Sequence, residues 1–398
     1  MTLSLADLTG PANALAPHYS RFRVAERLLL TGHSHQAWPD VARDGQLEAY
    51  DDAALAVDAK WERAFAKAEA VRAGFRRWLE DPEGEIALAG STHDLVARFL
   101  SALDLRRRPR LVTTDGEFHS VRRQLARLGE EGLDVVRVPA DPAATLAERL
   151  ADAVDVRTAA VLVSSVLFET SRVVPGLDGL ASRCAGSGAE LLVDAYHQLG
   201  VRPLPLREAG LDDAWVVGGG YKYLQLGEGS CFLRLPPQAE AMRPVLTGWY
   251  AEFGALGADD RPDRVPYASG AARFAGATYD PTSHYRAAAV VRFFEEQGLT
   301  PELLRESYRH QRRVLADAFD VLGLPDDVVT RDRETPADGF GGFLALTAPR
   351  AGVLAAALRE RGVHADARGE HLRLGPAPYL TDRQLETAVG ILGEVLRS

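Results

Sequence analysis

The sequence predicts an α/β protein: a large domain on a mainly parallel, doubly wound sheet, then a smaller C-terminal α+β domain. Three observations carry that expectation. From about residue 86, short and nearly all-apolar runs alternate with longer amphipathic ones. That is the pattern of strands buried on both faces and joined by helices. After about residue 254 the texture changes to a Gly-, Pro- and Asp-rich stretch, followed by a different order of elements. Finally, 398 residues leave room for two or three units of roughly 150 residues each, or for one large unit and a smaller one.

Taken in order, IALAG (86–90) reads as a strand and THDLVARFLSAL (92–103) as a helix. The alternation continues through RLVTTD (110–115), VRRQLARLG (121–129), DVVRVP (134–139), TLAERLADAV (145–154), AAVLVSSV (159–166), LDGLASRCAGSG (177–188) and AELLVDAY (189–196). AWVVGG (214–219) and SCFLRLP (230–236) add further strands. GALGADDRPDRVPYASGA (254–271) reads as a long loop, and a long loop inside a compact domain is usually functional. HYRAAAVVRFFEEQG (284–298) and PELLRESYRHQRRVLADAF (301–319) read as helices. GFGGFLALTA (339–348), VLAAALRERG (353–362), VHADA (363–367) and HLRLGP (371–376) give a β-α-β-β pattern. TDRQLETAVGILGEVL (381–396) closes the chain as a helix capped by Thr381.

Charge and composition exclude several classes. Forty-six basic against 56 acidic residues leave a net charge of −10, with no basic stripe to suit a nucleic acid. No run approaches the ~18 apolar residues of a membrane span. The N-terminus lacks the basic-then-apolar order of a secretory signal, so the expected compartment is the cytoplasm. Two cysteines, Cys184 and Cys231, rule out a disulfide scaffold or a multi-cysteine zinc module. His33 and His35, two apart without a further ligand cluster, are weak grounds for zinc, and no metal is expected.

The most informative segment is GGGYKYLQLGEG (218–229). Lys222 follows an apolar strand and sits among glycines, which let backbone approach a ligand closely. A partly desolvated lysine loses proton affinity and becomes a usable amine, suited to Schiff-base chemistry. By composition alone, a surface lysine at a strand end reads equally well. In LLVDAYHQLG (191–200), Asp194 ends a buried strand, where a carboxylate is costly unless paired. His197 would face the same crevice, beyond the carboxyl ends of the strands. A helix cap with a hydrogen-bonded core histidine explains that segment equally well alone. Together, a strand-end Asp and a Lys some thirty residues later suggest a pyridoxal phosphate (PLP) site, the Asp pairing with the pyridinium nitrogen and the Lys bonding the aldehyde.

At these residues the chain resembles the fold-type-I, class V PLP enzymes, and among them most the kynureninase family. The resemblance runs from about residue 30 to the end. It rests on YKYLQLGEG, DAYHQLG, GWYAEFGAL, GAARFAGAT and HADARGEHLRLGPAPYL. It implies the fold-type-I PLP-dependent transferase architecture: an N-terminal arm over 1–45 packing with the small domain, a PLP-binding domain over 46–283 and a small domain over 284–398. Lys222 becomes the lysine bonded to the cofactor and Asp194 the pyridinium partner. His197 matches the family's Asp-x-x-His motif. Ser91 and Thr92 of GSTHD match its phosphate-binding hydroxyls, at a strand-to-helix junction that also suits an anion; an N-cap serine is compatible with both. Tyr221 resembles another phosphate contact and a candidate proton relay. Phe118 matches the position that stacks on the ring, with His119 second. Trp249 matches a tryptophan near cofactor and substrate. Thr278 matches a loop that reaches the phosphate of the neighbouring subunit, which implies a homodimer.

For the substrate, the resemblance places the α-carboxylate on Arg373, whose guanidinium can hold it bidentately; a solvated or ion-paired strand arginine is the ordinary reading. His33 and Ser34 lie in LLLTGHSHQAWP (28–39), expected at the substrate mouth, where kynureninases usually carry Gly-Asn-Ser-Leu-Gly. Glu252 and Ser165 also depart from the family. The implied activity is hydrolysis of L-kynurenine, or its 3-hydroxy form, to an anthranilate and L-alanine. The alternative is a class V aminotransferase, or another PLP lyase acting on a different amino acid. A cysteine desulfurase would need a cysteine ahead of Arg373 in the C-terminal region, and none follows Cys231. A non-catalytic PLP-binding regulator would need a separate DNA-binding module.

Overall fold

The computed structural model describes residues 2–252 and 264–397. In chain order its elements begin with α1 (Leu5–Thr9), β1 (Leu28–Leu29), α2 (Val41–Ala56), α3 (Trp61–Trp78), β2 (Glu85–Ala89) and α4 (Thr92–Ala102). Next come β3 (Arg110–Thr114), α5 (His119–Glu130), β4 (Asp134–Val138), α6 (Leu146–Ala153), β5 (Thr158–Ser164), α7 (Leu177–Ser187), β6 (Glu190–Asp194), β7 (Trp215–Gly219) and β8 (Cys231–Leu235). The remainder is α8 (Thr282–Gln297), α9 (Pro301–Val321), β9 (Thr330–Arg331), β10 (Leu344–Thr347), α10 (Ala351–Glu360), β11 (Val363–His364), β12 (Asp366–Arg368), β13 (His371–Leu374) and α11 (Asp382–Arg397).

Seven strands form one sheet in the order β2-β8-β7-β6-β5-β3-β4. Within it β8 runs against both of its neighbours and the other pairs are parallel. Both faces are covered, which is why β5 is buried at every position. The pleat sorts its residues. Ala160 and Leu162 join a core with Leu95, Phe99 and Leu125 of α4 and α5. Val161 and Val163 join the opposite core with Phe75, Leu150 and Leu180 of α3, α6 and α7. Burying each such side chain contributes about 1.5–3 kcal/mol.

The smaller sheet has the order β12-β13-β10-β9. VHADA does not form one strand. Val363 and His364 pair in parallel with Leu28 and Leu29, while Asp366–Arg368 pairs with β13. The first pairing ties the N-terminal segment to the C-terminal part of the chain. The expected positions 45/46 and 283/284 fall inside α2 and α8. Sequence periodicity did not announce α2. Its buried face is Ala42, Gly45 and Ala49, small residues that let α8 approach closely: a Cβ on Gly45 would lie 2.7 Å from the Tyr285 carbonyl oxygen. Most of the expected 254–271 loop lies outside the described residues. Among the described residues no helix is long and apolar enough to cross a membrane.

Candidate active site

β2, β3, β5, β6 and β7 share one direction, so their carboxyl ends lie along one edge of the sheet, where ligands bind in such folds. Five sequence-predicted residues follow from that placement. Ser91, Phe118, Asp194, Tyr221 and Lys222 lie at, or just beyond, the ends of these strands.

Lys222 follows β7 in a tight turn, with Leu226 N–H donating to the Gly220 carbonyl at 2.8 Å. The glycines permit this approach: a Cβ on Gly219 would lie 2.4 Å from the Tyr196 hydroxyl oxygen. The lysine is buried. Its Nζ is hydrogen-bonded to His197 Nε2 at 2.7 Å and lies 4.5, 5.3 and 5.8 Å from the ring centres of Tyr196, Phe118 and Tyr221. Burial pulls its proton affinity down to about 7; Asp194 opposes that fall and Arg373 adds to it. Burial, then the lysine's charge, holds His197 well below the usual imidazole range. Two bases this close do not both protonate. Burial therefore leaves a substantial share of Lys222 as the free amine near pH 7.

Asp194 sits where a charged ring could meet it. Burial raises its carboxyl above the ordinary value, against the Tyr196 N–H, which donates to Oδ1 at 2.8 Å, and the Lys222 charge. Ser165 N–H donates to the Asp194 carbonyl at 2.9 Å. Beside it is a carboxyl that sequence reasoning assigned no role. Glu117 is buried and accepts from Thr114 Oγ1 at 2.8 Å, Ser164 N–H at 3.1 Å and Ser164 Oγ at 2.6 Å. Burial pushes it up to about 7, and the Asp194 charge adds to the rise. It fixes the turn that carries Phe118 to the strand end next to Asp194, since Ser164 and Asp194 are register partners. Nothing local in GEFHS signals this, because Ser164 lies 47 residues away.

Ser91 is the N-cap of α4, its Oγ accepting from Asp94 N–H at 3.2 Å, and Thr92 begins the helix. Gly90, just before, leaves open space where a Cβ would stand. Tyr221 stacks on His35, with centroids 4.9 Å apart and planes at 20°. Trp249 and Thr278 meet each other, Trp249 Nε1 donating to Thr278 Oγ1 at 3.3 Å. Thr278 borders a cavity of about 890 Å³ whose lining includes Gly90 and Glu228 but neither Lys222 nor Asp194.

The expected substrate residues are arranged differently from expectation. Arg373 is buried, and Asp366 already occupies its side edge: Nε and Nη2 donate to the two carboxylate oxygens at 2.9 and 2.6 Å. Nη1 donates to the Phe168 carbonyl at 2.6 Å. His33 does not face a mouth. It is fully buried, with Nε2 2.8 Å from Asp366 Oδ1. Ser34 is half-buried, with Oγ 3.2 Å from His35 Nδ1. The exposed member of the segment is His35. His33 and His35 thus diverge, and no group of three or more metal-ligating side chains occurs among the described residues. Asp366 was missed, although RGEH carries a signal. A two-residue turn at Gly369–Glu370, with Gly369 at φ 53°, pairs Arg368 with His371 and hence Asp366 with Arg373.

The residues present fit PLP. An amine of lowered proton affinity, a half-buried carboxylate, an aromatic ring beside them and a helix N-terminus with a hydroxyl cap converge on one edge. His197 Nδ1 is buried without a partner, a polar atom that the protein alone does not satisfy.

Comparison with known proteins agrees. The aminotransferase class-V family model matches residues 46–299. The chain is 25% identical over 348 residues to the uncharacterized aminotransferase YcbU of Bacillus subtilis (strain 168), covering 86% of this chain and 88% of that protein. In fold it is similar to a C-DES variant with glycine covalently linked to its PLP cofactor, at a TM-score of 0.83 and 17% identity over 95% of this chain and 98% of that one. It is also similar to the cysteine desulfurase CsdA of Escherichia coli, at 0.80 and 17% over 100% and 99%. The cofactor is PLP and the architecture is fold type I. With well over half of its length matched, and a lysine, an aspartate and a helix N-terminus at the strand ends suited to that cofactor, the chain belongs to the class-V aminotransferase family.

Proposed function

We propose that the protein transforms an α-amino acid, as a class V aminotransferase or as a PLP lyase acting on the amino acid's side chain. The observation that carries this is the buried Lys222 at the end of β7, its Nζ 2.7 Å from His197 Nε2 and its proton affinity lowered by burial to about 7. PLP supplies an electron sink for negative charge developing at the amino acid's α-carbon. With the cofactor bound, Lys222 Nζ would hold its aldehyde, and as an amine of lowered proton affinity it would serve as the base for the α-proton. Asp194 would hold a proton on the ring nitrogen, Phe118 would pack beside the ring, and Ser91, Thr92 and Tyr221 would receive the phosphate. Arg373 receives the substrate's carboxylate. Trp249 and Thr278, hydrogen-bonded to each other, would face the site of a second copy in a homodimer.

Desulfurase chemistry is disfavoured. Burial pushes the Cys184 thiol up to about 12 and the Cys231 thiol up to about 11, so neither offers a thiolate. Lyase chemistry without an enzyme thiol stays open, and a cystine C–S lyase is among the solved structures of similar fold. A second reading, hydrolysis of kynurenine or 3-hydroxykynurenine, is favoured by the resemblance of HADARGEHLRLGPAPYL around Arg373. One experiment separates these. The holoenzyme is incubated with a panel of amino acids, with and without a keto-acid acceptor. Acceptor-dependent keto acid supports transamination; keto acid without acceptor supports a lyase; anthranilate fluorescence supports the second reading. No turnover and no spectral change with any amino acid would refute the proposal.

A further inference from the structure

The charge of Arg373 is answered before any substrate arrives. Asp366 takes its side edge through two hydrogen bonds, and the Phe168 carbonyl takes a third N–H. Such a forked, charge-assisted pair is among the strongest and most directional contacts available to a side chain. Asp366 is itself held. The Arg373 charge and the His33 hydrogen bond overcome its partial burial and keep it ionised. His33 reaches it from the N-terminal segment, 333 residues away in sequence. The His33 ring packs against Phe343 at 4.6 Å between centroids. Gly375 presses on its other side, where a Cβ would lie 2.1 Å from Nδ1. Burial holds the imidazole down to about 4, so it stays neutral and hydrogen-bonds Asp366 through Nε2–H. The cluster borders the reacting centre: the Phe343 ring that packs against His33 also meets the His197 ring, at 6.0 Å between centroids, and His197 is hydrogen-bonded to Lys222.

We infer that Asp366 and His33 are positioning residues that determine how a carboxylate is recognised: Asp366 holds the Arg373 guanidinium by its side edge, leaving only its remaining N–H groups to meet the substrate, and His33 holds Asp366. This rests on the reading that Arg373 receives the substrate's carboxylate. Because Asp366 offsets the arginine's charge, recognition depends on where a carboxylate lies more than on net attraction. The side-on, two-pronged grip expected from sequence is already occupied. The ligand class is thus a compound whose carboxylate stands next to the amino-bearing carbon, and an amine lacking that carboxylate gains nothing from the cluster.

The test uses PLP-loaded protein and follows the cofactor absorbance during titration with L-alanine and with ethylamine, its carboxylate-free counterpart. His33→Leu is expected to raise the L-alanine Kd about tenfold or more, the loss of one hydrogen bond to a charged group. It should leave ethylamine within about threefold. His33→Gln keeps an N–H donor and should recover most of the loss. Asp366→Asn should act as His33→Leu does, more strongly; if it does not fold, the two His33 variants still decide. An equal loss for both ligands, or no loss for L-alanine, overturns the positioning role. Arg373→Met separates the two layers. If it too leaves the L-alanine affinity unchanged, the reading of Arg373 fails. If it weakens L-alanine while the His33 and Asp366 variants do not, only the positioning inference fails.

Discussion

Replacing Lys222 with methionine should stabilise the cofactor-free protein. Burial lowers the folded-state pKa of this lysine from 10.5 to about 7. In the unfolded chain it returns to about 10.4. A depressed folded-state value means the folded form is at no disadvantage above about 10.5 and loses stability progressively as pH falls toward 7. At 1.36 kcal/mol per pH unit, the accumulated cost at neutral pH is about 4–5 kcal/mol. Methionine removes that cost and fills similar volume. It also leaves His197 Nε2 without its 2.7 Å partner, which costs about 1–3 kcal/mol. The net gain near pH 7 is then about 1–4 kcal/mol, shrinking to nothing or reversing above about pH 10.5. Urea unfolding of both apoproteins at about pH 6.5, 8.5 and 10.5 reads this directly. A variant no more stable than wild type at the lowest pH, or a difference that grows with pH, would refute the reasoning.

Three further outcomes are expected. Asp194→Asn should bind PLP yet lose about a hundredfold or more in turnover, the scale of removing one partner of a buried ion pair; near-wild-type turnover would remove Asp194 from its role. Gly375→Ala must displace His33, since its Cβ would lie 2.1 Å from Nδ1; overpacking of this kind costs about 1–3 kcal/mol, and the variant should melt earlier and bind amino acids more weakly than wild type. Native protein should resist thiol reagents, because both cysteines are buried and their thiols are pushed up to about 12 and about 11. Both should react after denaturation, and rapid labelling of the native protein would reopen thiol-dependent chemistry.

The parts of the site legible in the sequence are those whose placement is local. Asp194 ends an apolar run, Lys222 follows another within a glycine turn, and Ser91 caps the helix after the first strand. In each, strand-end position alone puts the side chain on the binding edge. What stayed hidden depends on distant chain returning. His33 is expected at the substrate mouth from the family position of its segment, yet the β1–β11 pairing brings that segment to Asp366, against which His33 is buried. Glu117 sits in a turn, and two of its donors come from Ser164 at the distant end of β5. α2 went unseen because small residues, not an apolar stripe, form its buried face. VHADA read as one strand because both of its halves are extended, though they serve different sheets.

Lys222 should carry the cofactor. The most direct measurement is borohydride reduction of the PLP-reconstituted protein, followed by mass mapping of its peptides. A phosphopyridoxyl group should appear on the peptide containing Lys222 and vanish, together with the long-wavelength absorbance, in Lys222→Ala. A label on another lysine, or a protein that stays colourless and unlabelled with PLP present, would contradict it.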